Sequence, residues 1–191
     1  MKAGRIVLGL LLAAAAASPQ TLSLGQGVFY NGEGDILIAI DASVAVRKIQ
    51  SPYVMFKAYL ASASRGEIVV DRANIVMIYK DTAYPLPAYK VFQKEYSGQR
   101  NDFNLYRNLG KESLALSPMR NFRFPATADF FPAFGETAAR LTSEGSMVGT
   151  IGFSTTLYFK NPGFQKGDKI IIRVADKKRP EIVGAVAVVL E

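Results

Sequence analysis

Apolar and polar positions alternate with a period of two over much of the chain. The runs 36–41, 44–49 and 53–61 predict strands separated by short Asp/Ser and Ser-Pro breaks. Runs 67–70 and 74–79 follow, with Ser64-Arg65-Gly66 and Asp71-Arg72 as turns. The alternation is longest over 147–160. Met147, Ile151, Phe153, Leu157 and Phe159 fall on one face, and Thr150, Ser154, Thr156, Tyr158 and Lys160 on the other, the pattern of an antiparallel strand with one wet face. On this reading Phe153 is buried and Ser154 faces solvent. Asn161-Pro162-Gly163 and Gly167-Asp168 bracket a loop that predicts a hairpin into 169–175, where Ile172 is buried. The last run, 182–190, is apolar on both faces, as in a strand central to its sheet. Seven or eight strands at this spacing predict a mainly β fold, an antiparallel β-sandwich of immunoglobulin-like kind.

From 80 to 134 the strand pattern fails, which predicts a short helical and irregular insertion within a single domain. Pro87 suits a first helical turn, with Ala88, Phe92 and Tyr96 on one face. A second helix fits 102–109, with Asn101 or Asp102 as cap, Gly110 just past its end, and Leu105 and Leu109 facing the core. At about 56 residues with neither disulfide nor metal, this segment is too small to stand alone.

The start of the chain changes the picture from fold to location. Lys2 and Arg5 precede an apolar run over 6–17, with small residues at Ala15 and Ala17. This is the pattern of a secretory signal spanning 1–17, cleaved after Ala17. Twelve apolar residues reach only about 18 Å as a helix, short of the roughly 30 Å hydrocarbon core. The expected mature chain, 18–191, is exported to the periplasm or beyond, and no later run is long and apolar enough to span a membrane. Loss of Lys2 and Arg5 leaves 21 basic against 16 acidic side chains, a net charge of +5.

Composition narrows the chemistry. With no Cys, His or Trp, the chain has no disulfide, thiol nucleophile, Cys/His zinc site or Ser-His-Asp triad. It contains no Ser-x-x-Lys, Gly-x-Ser-x-Gly or Walker motif, and no cofactor is expected. Its basic residues are scattered over separate loops, which argues against a nucleic-acid groove.

Twelve of the 21 aromatics lie between Tyr79 and Phe134, interleaved with Lys80, Lys90, Lys94, Arg100, Arg107, Lys111, Arg120 and Arg123. The leading reading is that these rings cover the sheet, since aromatics bury much area per residue. The sharper reading is a recognition surface. Tyr106 and Arg107 would turn outward from a helix whose core face is supplied by Leu105 and Leu109. Arg120 and Phe122 would share an extended face, so that a ring and a guanidinium contact one ligand.

Three functional classes follow. The first is an exported non-catalytic β-sandwich acting through protein-protein contacts, an accessory component of a cell-envelope assembly. The alternative is a glycan- or anion-binding module using residues 84–134, with an anionic glycan as ligand. The third is a hydrolase built on carboxylates among Glu95, Asp102, Glu112, Asp129 and Glu136.

Overall fold

A computed structural model describes residues 19–64, 66–132 and 141–191. The expected signal segment, Arg65, Phe134 and Glu136 lie outside the described residues. In chain order the elements are β1 (Leu22–Gly25), β2 (Val28–Asn31), β3 (Ile36–Asp41), α1 (Ser43–Arg47), β4 (Tyr53–Ser62), β5 (Ile68–Asp71), β6 (Ile75–Tyr79) and β7 (Thr82–Pro85). Then come α2 (Tyr89–Glu95), α3 (Gln99–Leu109), α4 (Glu112–Leu116), β8 (Arg123–Ala128), β9 (Glu144–Met147), β10 (Ile151–Lys160), β11 (Lys169–Ala175) and β12 (Val183–Val189). The fold is mainly β, with several antiparallel sheets.

A larger sheet runs β1-β2-β3-β4-β10-β8, antiparallel except that β8 lies parallel to β10. A second sheet runs β12-β11-β6-β7, and β5 pairs with β9 alone. Alternation along β3, β4 and β10 places Ile36, Ile38, Ile40, Val54, Phe56, Leu60, Phe153, Leu157 and Phe159 on one face of the larger sheet. Their register pairs, Phe153 with Leu60 and Leu157 with Phe56, confirm that these side chains share it. They form one core with Ile75, Met77, Ile170, Ile172, Val174, Val186 and Val188 of the second sheet. The opposite face of the larger sheet is also covered. Leu37, Ala39, Tyr59 and Ala61 pack with Ala115 and Met119, and Tyr53 and Tyr158 pack with Phe92 and Tyr96. The segment between β7 and β8 is therefore a lid of short helices on the sheet.

That lid overturns several expectations. The strand over 147–160 was expected to have a wet face, but Ser154, Thr156 and Tyr158 are buried beneath the helical layer. The same run breaks at a turn where Val148 and Ile151 exchange backbone hydrogen bonds of 2.9 Å each. It becomes β9, paired with β5, and β10, paired with β4 and β8. Phe153 and Ile172 are buried as expected, yet β10 and β11 form no hairpin, because they belong to different sheets. Their connection is pinned by Asn161, whose Nδ2 donates to Ile49 O (2.6 Å) and Ser51 O (2.8 Å). Phe164 in that loop is buried edge-on against Tyr79, with ring centroids 4.9 Å apart.

The run 44–49 contains α1 where a strand was expected. Short apolar runs fit either period. Here the Asp41 carboxylate accepts from both the backbone N–H and the hydroxyl of Ser43, which turns the chain as β3 ends. Within 80–134, β7 and β8 add edge strands to the two sheets. β12, expected to be central, is also an edge strand. Its outer edge is closed by side chains: Asn31 Nδ2 donates to Ala185 O at 2.6 Å, and Ala187 N–H donates to Thr21 Oγ1 at 2.8 Å. An edge sealed in this way tolerates an apolar strand.

Candidate functional site

The helical lid carries the residues singled out from sequence. α3 ends at Gly110, whose φ of +59° supplies the left-handed turn that a β-carbon disfavours. Asp102 does not cap this helix. It lies within it, on the inner face that runs through Gln99, Asp102, Tyr106 and Leu109 by helical spacing. Tyr106, four residues on from Asp102, is therefore half-buried and points inward, its hydroxyl 2.7 Å from that of Tyr59. This corrects the outward orientation expected of it. Arg107 is exposed, as expected.

Arg120 and Phe122 do not share an extended face. They lie in a turn closed by Phe122 N–H donating to Met119 O at 2.9 Å. Arg120 is exposed, while Phe122 is half-buried against the Leu37, Tyr59 and Ala61 cluster. The four residues therefore do not form one recognition surface. Nor do the other rings: every described aromatic between Tyr79 and Phe131 is buried or half-buried. Among the candidate acids that are described, only Asp102 is buried, and Glu95 and Glu112 are exposed.

Asp102 is the hub of a buried network. Its carboxylate pairs with Lys48, accepts from the Tyr96 hydroxyl at 2.7 Å and accepts from the Tyr158 hydroxyl at 3.2 Å. Tyr96 Oη also accepts from Ser51 Oγ at 3.1 Å. Rings close around it, with Phe92–Tyr158 and Phe92–Phe131 centroids 4.5 and 5.0 Å apart. Burial, followed by the neighbouring Asp102 charge, pushes the Tyr158 hydroxyl above its ordinary acidity range, so it remains a donor. Burial pulls the Lys48 amine down, but hydrogen bonds to Asp102 and Tyr96 outweigh this and raise it. The Asp102 carboxylate and the hydroxyls of Tyr96 and Tyr158 are matched within the network. The network ties the C-terminal ends of α1 and α2, and α3, to β10, and of its members Lys48 reaches solvent.

The unmatched polar groups lie elsewhere. Asp41 is buried with its Oδ2 lacking any hydrogen-bond partner, and burial raises its carboxyl despite the hydrogen bonds from Ser43. An open cavity of about 430 Å³ lies nearby, lined by Gln26, Ser43, Arg47, Leu109, Lys111 and Glu191 among others.

Exposed charge and exposed apolar side chains also meet where β8 meets β10. Val148 and Ile151, each 45% exposed, face each other across the tight turn. Arg123 pairs in register with Ile151, and Arg120 stands three residues earlier in the turn that leads into β8. Both arginines are exposed, and neither makes an ion pair or side-chain hydrogen bond among the described residues. Lys177 and Arg179, by contrast, are internally matched: Lys177 bonds Glu144, and Arg179 bonds Asp176 at 3.0 Å and Glu67 O at 2.8 Å. Sequence alone ranked Arg120 among the candidates but missed Val148 and Ile151, because the predicted strand ran through the turn that exposes them.

Compared with known protein families, curated proteins and solved structures, the chain matches none.

Proposed function

We propose that this protein is an exported, non-catalytic β-sandwich of immunoglobulin-like kind, and that it works through protein-protein contacts as an accessory component of a cell-envelope assembly. Export rests on Lys2, Arg5 and the apolar run that follows them. The docking surface is the corner formed by Arg120, Arg123, Val148 and Ile151. The observation that carries this reading is the pairing of two unmatched guanidinium groups with two adjacent exposed aliphatic side chains. Interfaces concentrate arginine around an apolar centre. The partner surface is acidic with an apolar centre, which complements the local charge and the net charge of +5.

The glycan alternative has less support, since no described ring in the insertion stands out as a stacking platform. Anion binding keeps one specific support, the cavity that presents Arg47 and Lys111 together.

The docking reading is tested by capture from envelope extracts with wild type, Arg120→Glu/Arg123→Glu, Ile151→Ser and, as a control, Lys178→Glu. The expected result is a salt-sensitive partner lost with the first two variants and kept by the control, because exposed charge pairs are screened over about 8–10 Å. Identical partners bound by all four proteins would refute it.

A further inference from the structure

We propose that the open cavity beside α1 and α3 is a binding site for a small zwitterion of the α-amino-acid class, one with an aliphatic side chain. Its volume of about 430 Å³ falls within the roughly 300–1,000 Å³ of small-molecule sites. Its walls come from four parts of the chain: the β1–β2 turn, α1, the α3–α4 junction and the stretch after β12. The site goes beyond the docking reading. It shares no residue with the corner formed by Arg120, Arg123, Val148 and Ile151, and each can fail without the other.

The lining carries unmatched charge of both signs. Arg47 closes α1 and is exposed, and Lys111 follows Gly110 and is half-buried. Neither side chain makes an ion pair or hydrogen bond among the described residues. Two cations held at one cavity without a paired anion favour a carboxylate there. Glu191 lines the same cavity, exposed and likewise unpaired among the described residues. The eleven-residue α3 also ends here, at Leu109, and the negative end of its dipole favours a cation. A ligand with a carboxylate and an ammonium answers both demands, whereas a simple anion would set further negative charge against Glu191 and the end of α3.

The rest of the wall is preformed. Gln26 has a φ of +55°, in the left-handed region that favours glycine. Its turn is pinned to the start of α1, where Ala42 N–H donates to Gly27 O at 2.8 Å. A β-carbon at Gly27 would lie 3.4 Å from Ser43 N and Cα, so turn and helix touch through their backbones. This fixes the Gln26 amide, both donor and acceptor, at the cavity. Ser43, also in the lining, donates to Asp41, which is buried with Oδ2 unpartnered and is reached by the Lys111 charge. Val46 and Leu109, both half-buried, give an aliphatic side chain a surface to pack on.

The test is an amide-resolved NMR titration of the whole protein with L-leucine to about 10 mM, beyond the roughly 1 mM dissociation constant expected of so open a site and so small a ligand. Leucine should move the Gln26, Ser43 and Lys111 amides. Isocaproate, which lacks the ammonium, and isoamylamine, which lacks the carboxylate, should each bind at least about 10-fold more weakly, the cost of one hydrogen bond to a charged group. Arg47→Gln/Lys111→Gln should abolish leucine binding. Glu191→Lys should weaken leucine and strengthen isocaproate, with the dispersion of the remaining amides reporting that each variant is folded. Leucine leaving those amides unmoved, isocaproate binding as tightly as leucine, or undiminished leucine binding by the double variant would overturn the proposal.

Discussion

Replacing Asp102 should unfasten the helical lid. Its side chain is 1% exposed, and its two oxygens accept from three donors: Lys48, Tyr96 at 2.7 Å and Tyr158 at 3.2 Å. In Asp102→Ala the hydroxyl of the fully buried Tyr158, bonded only to Asp102, loses its acceptor. Lys48 loses its counter-charge but is 31% exposed and reaches water. Removing one member of a buried pair typically costs about 3–5 kcal/mol, and the solvent access of Lys48 puts the expected loss near the middle, about 4 kcal/mol. Asp102→Asn retains one oxygen for the two tyrosines but turns an amide toward the ammonium, for an expected loss of about 2 kcal/mol. Tyr158→Phe removes one neutral donor and should cost about 1 kcal/mol. Urea unfolding followed by far-UV circular dichroism measures all three, and the double variant Asp102→Ala/Tyr158→Phe should lose less than the sum of its parts. Strict additivity, or equal losses for Asp102→Ala and Tyr158→Phe, would refute the view that one carboxylate organises the lid.

Two further outcomes are expected. A β-carbon at Gly184 would lie 2.5 Å from Ile36 O and 2.8 Å from Ile36 Cβ, so Gly184→Ala must push β12 away from β3. Overpacking of this kind costs about 1–3 kcal/mol, and a chain of this size loses about 2–4 °C in melting temperature per kcal/mol; an unchanged thermal scan would mean the two sheets do not meet there. Because the Lys57 amine is lowered to about 8 on folding from an ordinary 10.5, the unfolded chain binds more protons between those values, and stability should rise with pH through that window. The raised hydroxyls of Tyr59 and Tyr158 reverse the trend above about pH 10, since the unfolded tyrosines ionise first. Lys57→Met should flatten the rise and add about 1–2 kcal/mol at pH 7, a figure already reduced for partial solvent screening. A wild-type curve flat from pH 8 to 10 would contradict this.

The sequence by itself determined where most strands lie. Period-two runs at 36–41, 53–61, 67–70 and 169–175 became β3, β4, β5 and β11, because alternation is a local consequence of strand geometry. Gly110 likewise ended its helix as read, since a left-handed residue is a local backbone requirement. Only the tertiary structure decided which face was wet. Thr156 and Tyr158 look like solvent-facing positions until a lid some 60 residues away in sequence is laid over them, and no local pattern encodes that cover. The turn at 148–151 was hidden for a related reason: strands on either side of a turn keep the same alternation while pairing with different partners. Asp102 was read as a cap because caps and buried acids share a residue type, and only packing showed Lys48, Tyr96 and Tyr158 converging on it. Lys57, a lysine among apolar neighbours on a strand, was not singled out from the sequence for the same reason: how far a charge is buried, and what faces it, is a property of the assembled layers and not of the chain.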